Sequence, residues 1–493
     1  MRTPPLLQAL AAAFLALPPG AAAAEPSPPA VVPQLLPAAA IRADFIALYR
    51  RLRDAHFDLY ARNPRAAYDR LYARELAAIR GPETPLAVAR RFQRFVAFGR
   101  VAHARIDFAY RAWADYLGRG GRAFPLILRV VDGRARLVAD NSGQGRLVVG
   151  DEMVTLDGRP MRQWLALARR NLSADNEYMA DALMELDLPM LLWLEAGPRT
   201  EFRLTVRREG HPPLRFILPA RTRAELASAT RAAPPRLDLA PRDRSWRLLS
   251  PVLAYLRPGA FYNAEAPERP YDNSGFRRFI DDAFGEILLS GATTLLIDLR
   301  DNPGGDSSFS DLMLAWFADR PWRFYSAFRI KASAEAIDSN RRRLDGPGGD
   351  PSGMSARFAA LYGGARPGDI VTFGTPMSRP RDGQRFTGRV YLLINRNSYS
   401  NAVAVAATVQ AYQLGIIIGE ETSDLATTYG AMETFTLPRT GLTVGFPKAR
   451  IIRPNGDLAP RGVIPDLTIA TPLFESPDDP VLGHALALIT TRR

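Results

Sequence analysis

The residues best suited to chemistry lie at two strand–turn–helix corners. Around Ser400, "LLINRNSYSNAVAVAATVQAY" reads as an apolar strand, a polar turn and a helix that begins at the serine. Around Gly304 and Gly305, "LLIDLRDNPGGDSSFSDLMLAWFAD" repeats that order. Acyl transfer needs a nucleophile and, beside it, N–H donors for the developing oxyanion. A hydroxyl at a helix start supplies the first. Paired glycines, lacking Cβ, let backbone amides turn outward and supply the second. The expected donors are the amides of Gly304 or Gly305 and of Asn401, aided by the positive helix end. Each corner also has a plainer use, since serine before a helix caps it and Gly-Gly after proline turns the chain. What points to chemistry is that both occur, in order, in one α/β segment.

A serine hydroxyl attacks poorly until a base takes its proton. The chain has no cysteine, which excludes thiol nucleophiles, disulfides and thiolate metal sites. Its only lysines are Lys331 and Lys448, and its four histidines are His56, His103, His211 and His484. No two histidines fall at metal-ligand spacing, and there is no His-Glu-x-x-His and no phosphate-binding glycine loop ending in Lys-Ser/Thr. No metal and no cofactor are expected.

Three stretches in order, "LLIDLRDNPGGDSS", "LLINRNSYSNAVAVAATVQAYQLGIIIGEETSD" and "NGDLAPRGVIPD", resemble the C-terminal processing (tail-specific) serine peptidase family. That family includes the tricorn-type peptidases and the related retinoid-binding repeats. The resemblance spans residues 245 to 470, with weaker support upstream in "DAHFDLY" and "VAHARIDF". It implies a core related to the crotonase and ClpP folds, with the nucleophile at Ser400. In the Ser-Lys members a lysine follows the Gly-Glu-x-Thr motif after two residues. Here Gly419-Glu420-Glu421-Thr422 runs through Ser423 and Asp424 to Leu425, which cannot take a proton.

The chain therefore looks like the lysine-lacking, tricorn-type branch, which takes a histidine base from upstream of the sheet. That position falls on His103, in Gly99-Arg100-Val101-Ala102-His103, where the branch carries Gly-Asp-Gly-His. Lys448 is the alternative base, though its setting after a proline reads as a surface lysine, and Lys331 reads as part of an exposed helix. Arg105, two residues from His103, is expected to lower the imidazole pKa. A carboxylate should hold the other ring nitrogen. The resemblance suggests Asp457 in "RPNGDLAP", with Glu433 and Asp107 as alternative acids. The expected function is an exported serine peptidase of the C-terminal processing type. The alternative is a non-catalytic member of the fold that binds a peptide or a hydrophobic small ligand. "GGDSSFSD" is similar to the Gly-Asp-Ser block of some lipases, but the accompanying Asp-x-x-His pair is missing, so Ser307 is read as a helix cap.

Composition narrows the partners. With 47% hydrophobic and 23% charged residues the chain has ample material for a folded core. The net charge of +13 comes almost wholly from scattered arginines with no basic run, so nucleic acid is not an expected partner. "MRTPPLLQALAAAFLALPPGAAAAEP" reads as a signal peptide cleaved near Ala24, and hence as export to the periplasm. Its apolar run is too short to span a bilayer and no longer one follows, so stable membrane insertion is not expected. The expected partner is a peptide or protein substrate.

The elements that must position these residues divide the chain. After the signal peptide (1–24) comes a helical domain (25–120) that ends in a short strand, "VAHARIDF". Residues 121–222 alternate around Asp-Gly turns and, through "GDEMVTLDG", resemble a PDZ domain, although 172–198 is longer than such a domain needs. A linker (223–244) precedes the peptidase core (245–475), where near-continuous apolar strands alternate with helices. Residues 476–493 form a C-terminal helix or tail.

Overall fold

The computed structural model describes residues 34–106, 109–232, 243–266, 268–346, 353–473 and 478–491. The expected signal peptide and Asp107 lie outside them.

The core is a mixed sheet of six strands among the described residues. Its order is Leu467–Thr468, Ile416–Gly419, Arg389–Ile394, Thr294–Asp298, Leu253–Arg257 and Ser245–Ser250. All neighbours pair in parallel except the edge strand Ser245–Ser250. Thr294–Asp298 and Arg389–Ile394 are buried almost throughout, as expected of strands covered on both faces. One face carries the helices Ser274–Leu289 and Asn401–Tyr412. The second of these is apolar around most of its circumference and accordingly sits inside the core. The other face carries Pro480–Thr491, tied down where the Arg300 guanidinium bridges Asp298 and Asp479.

A second, antiparallel sheet of four strands pairs Ile370–Thr372, Ala327–Lys331, Thr443–Ile452 and Thr428–Thr436 in that order. The N-terminal helices Ala38–Ala55, Arg65–Ala78 and Pro85–Ala97 share one hydrophobic cluster with it: Phe45, Phe92 and Phe95 belong with Ile330, Phe435 and Phe446. The helices are thus one layer of a two-layer unit rather than a core of their own, because their apolar faces have the sheet to cover. Residues 126–219 build an antiparallel sheet with its own cluster, packed by the helices Met161–Arg169 and Glu177–Ala196, and beside it Arg122–Ala123 pairs with Arg221–Thr222. The long segment 172–198 is mostly this second helix, which docks on the core: Glu185 pairs with Arg396 at 2.8 Å, and the Tyr178 hydroxyl donates to the Glu421 carbonyl.

Four local expectations change. In "VAHARIDF" the described residues 101–106 form a turn at Ala102–His103 with a single bridge, Arg105 to Gly445, rather than a strand. Ala104 and Ile106 are buried in the cluster shared with the second sheet, without a ladder. The expected linker begins as a helix, Arg223–Ala232. Lys331 lies on a strand, and its ammonium donates to the carbonyls of Arg53 and His56. The helix after Gly305 is capped by Asp306, whose side chain accepts from the Ser308 amide, and not by Ser307.

Candidate active site

Two neighbouring parallel strands bring the two corners together. Thr294–Asp298 and Arg389–Ile394 pair in register, Asp298 opposite Leu393, and both end at the same edge of the sheet. In such sheets a crevice beyond the carboxyl ends of the strands is the usual place for a ligand.

A polar network locks the corners to each other. The Asp301 carboxylate accepts from the side-chain amides of Asn395 and Asn397. The buried Ser398 hydroxyl donates to the Leu299 carbonyl at 2.7 Å, so this serine is structural. The Tyr399 amide donates to the Asn302 carbonyl, and the Asn401 side chain donates to the Asp306 carbonyl and the Ser310 hydroxyl. Gly304 leaves no room for a side chain. A Cβ there would lie 2.4 Å from the Tyr399 carbonyl oxygen and 2.8 Å from the Ser400 Cβ.

Ser400 occupies the N-cap position of its helix but does not cap it. Its backbone stands at φ 53° and ψ −116°, a conformation side chains rarely adopt, and its hydroxyl makes no hydrogen bond among the described residues. A sharp, strained strand-to-helix turn that holds a serine hydroxyl free is the local geometry of a nucleophile.

Of the expected oxyanion donors, the Gly304 amide is already engaged by the Asn302 side chain at 2.9 Å. The amides of Gly305 and Asn401 have no hydrogen-bond partner among the described residues. Gly305, at φ 140°, is pressed against the Phe261 backbone, where a Cβ would meet the carbonyl oxygen at 2.1 Å.

His103 reaches this corner from outside the sheet. Its turn is held by the Arg105–Gly445 bridge and by the Ala102 amide donating to Asp175 at 3.0 Å. The imidazole lies against the Tyr399 ring, centroids 5.9 Å apart and planes 29° from parallel. Its Nδ1 is buried without a partner among the described residues. Burial, then the neighbouring Arg105, lowers its pKa to about 4, while the Tyr429 carbonyl pulls the other way. The ring is therefore neutral at physiological pH, the form a general base needs.

The other expected site residues lie elsewhere. Asp457 is on the surface, its side chain 46% exposed, where it closes its own turn by accepting from the Ala459 amide and faces Arg453. Its carboxylate does not hydrogen-bond His103. Glu433 is buried and committed to Lys448, Arg343 and Ser339. Lys448 is not a surface lysine: it is 1% exposed, over the Phe358 ring and 2.5 Å from Glu433. Burial lowers its pKa to about 8 against the pull of Glu433. Burial also pushes Glu433 up, but Lys448 and Arg343 outweigh it and leave the carboxyl below its usual range. This pair is an internal ion bridge of the second sheet, with Lys448 spoken for. His56 is buried, its Nδ1 accepting from the Asp58 amide; His211 lies in an exposed turn and His484 on the C-terminal helix.

The sequence reading missed Asp424, whose carboxylate accepts from the Ser400 amide at 2.6 Å. The one signal available was its place in "GEETSD", two residues beyond Thr422, where an acidic group faces burial.

An open α/β core with a free serine at one strand end and unengaged amides at the next has the parts that a serine-type peptidase needs. Residues 253–469 match the model of peptidase family S41. Among curated proteins none matches in sequence. Among solved structures, mature CPAF is similar at 16% identity over 92% of this chain and 96% of that one, with a TM-score of 0.60. Mature CPAF complexed with lactacystin matches at 16% identity over 92% and 97%, also with a TM-score of 0.60. The photosystem II D1 C-terminal processing protease is similar at 16% identity over 87% and 93%, with a TM-score of 0.43. At this identity the CPAF structures establish a shared fold along nearly the whole chain.

Proposed function

We propose that this protein is an exported serine peptidase of the C-terminal processing type in which Ser400 is the nucleophile and His103 the general base. The observation that carries the reading is Ser400 itself. It sits at a helix start with a free hydroxyl and a backbone at φ 53°, beside a loop whose glycine admits no side chain. A serine kept for capping would make the cap bond and need no strain.

In this mechanism a peptide carbonyl enters the crevice at the strand ends. His103 accepts the hydroxyl proton as Ser400 Oγ attacks, and the amides of Gly305 and Asn401 hold the oxyanion. His103 then returns the proton to the leaving amine, and water, activated by the same imidazole, releases the acyl group from Ser400. Among the described residues the imidazole has no carboxylate partner, so its orientation rests on the Tyr429 carbonyl, on packing against Tyr399 and on the bridged turn.

The test is labelling of the protein with a fluorophosphonate probe. The wild type is expected to label, Ser400→Ala to lose labelling entirely, and His103→Ala to lose most of it. Lactacystin, seen in complex with CPAF, is expected to compete with the probe. A well-folded wild type that never labels would overturn the reading and favour the non-catalytic alternative.

A further inference from the structure

Three adjacent parallel strands end at the edge where the site lies. The first two deliver Gly305 and Ser400. The third, Ile416–Gly419, pairs with Arg389–Ile394 and leads into the turn that carries Asp424. This carboxyl is 1% exposed and uses both oxygens on backbone: Oδ2 accepts from the Ser400 amide at 2.6 Å and Oδ1 from the Leu425 amide at 2.9 Å.

The first bond concerns the nucleophile directly. A residue at φ 53° and ψ −116° persists only where its surroundings over-determine it. Asp424 supplies that constraint, since among the described residues the Ser400 amide is the one backbone donor of the bend with a carboxyl acceptor. We propose that Asp424 is a positioning residue for the nucleophile, holding Ser400 in the bend that frees its hydroxyl and leaving the oxyanion to the amides of Gly305 and Asn401. The inference rests on the peptidase reading above, in that it assigns Asp424 a role toward the nucleophile of that reading.

The charge of Asp424 matters to this role, because an ionised acceptor grips an N–H harder than a neutral one. The groups facing it are Asp175 from the turn before the docking helix, Arg105 from the bridged segment, Tyr399 beside the nucleophile and Tyr325 from the segment before Ala327–Lys331. Burial, with Asp175 beside it, raises its pKa to about 7, while the two amides and Arg105 pull it down. The grip on Ser400 is therefore strongest above neutrality and loosens on acidification. His103, with its pKa near 4, stays neutral through that range.

Two measurements on the full chain test this. In protein labelled with 15N-serine, the Ser400 amide resonance, assigned by its loss in Ser400→Ala, is expected to shift with a midpoint near pH 7 in the wild type. In Asp424→Asn, which keeps an oxygen for the amide, it is expected to lose that midpoint. In fluorophosphonate labelling, Asp424→Asn is expected to slow the rate roughly 10- to 100-fold at pH 8, the loss of one charge-assisted hydrogen bond read as a rate. It is also expected to abolish the acid limb near pH 7. An Asp424→Asn protein with the wild-type labelling rate and pH profile would overturn the inference. A titrating amide in a wild type that takes no probe would instead overturn the peptidase reading, and with it any role of Asp424 toward a nucleophile.

Discussion

The strain at Ser400 predicts an unusual order of stabilities. Holding a non-glycine residue at φ 53° and ψ −116° costs about 1–3 kcal/mol. Glycine adopts that conformation freely but loses about 0.5–1 kcal/mol through the extra freedom of its unfolded chain. Ser400→Gly should therefore be more stable than wild type by up to about 2.5 kcal/mol. Ser400→Ala keeps the strain and loses only a hydroxyl that makes no hydrogen bond, so it should match wild type within about 0.5 kcal/mol. A serine that capped the helix would give another order, with alanine about 1 kcal/mol below wild type and glycine only a few tenths below. Urea unfolding midpoints of the three proteins, followed by tryptophan fluorescence, read the difference. A wild type more stable than both variants would refute the strained-nucleophile argument, whatever the labelling shows.

Gly304→Ala should be worse than a remote glycine substitution, because the new Cβ would lie 2.6 Å from the Asn401 amide nitrogen as well as against Ser400. A loss of about 2–4 kcal/mol and of fluorophosphonate labelling is expected, whereas Gly291→Ala, also at positive φ but in open space, should lose about 1 kcal/mol and label normally. For pH dependence, burial lowers the His56 pKa to about 3. Below the unfolded value near 6.5 the unfolded chain takes up a proton that folded His56 refuses. Stability from this group is thus complete above that pH and falls by about 1.4 kcal/mol per unit on acidification towards pH 3. His56→Gln should flatten the slope of unfolding free energy between pH 6.5 and 4, and an unchanged slope would contradict the assignment. Lys448→Met should cost about 1–3 kcal/mol, since Arg343 still pairs with Glu433, and should keep full labelling. Loss of labelling in a folded Lys448→Met protein would restore that lysine as the base.

Local pattern alone was enough for the two strand–turn–helix corners. Apolar runs such as Leu295–Ile297 and Leu392–Ile394 must be covered on both faces, and the serine and glycines fall where such strands give way to helices. It was also enough to see that no lysine follows Thr422. What it could not carry was anything set by distance across the fold. Lys448 reads as a surface residue until the hairpin Thr428–Thr436 and Thr443–Ile452 lays Glu433 beside it and the helix Met354–Gly363 closes over it. The N-terminal helices read as a domain of their own because amphipathic periodicity shows that a face is buried without showing against what. Asp457 sits near the motif that suggested it, yet its carboxylate lies on the surface and closes its own turn. Asp424 was passed over because an aspartate beside a serine and a leucine has no periodic signature. Only strand order, which sets the end of Ile416–Gly419 beside the end of Arg389–Ile394, turns that carboxyl toward the Ser400 amide. Hydrophobic periodicity is a local property of the chain and survives in the sequence, whereas the pairing of charges and donors is decided by which strands become neighbours.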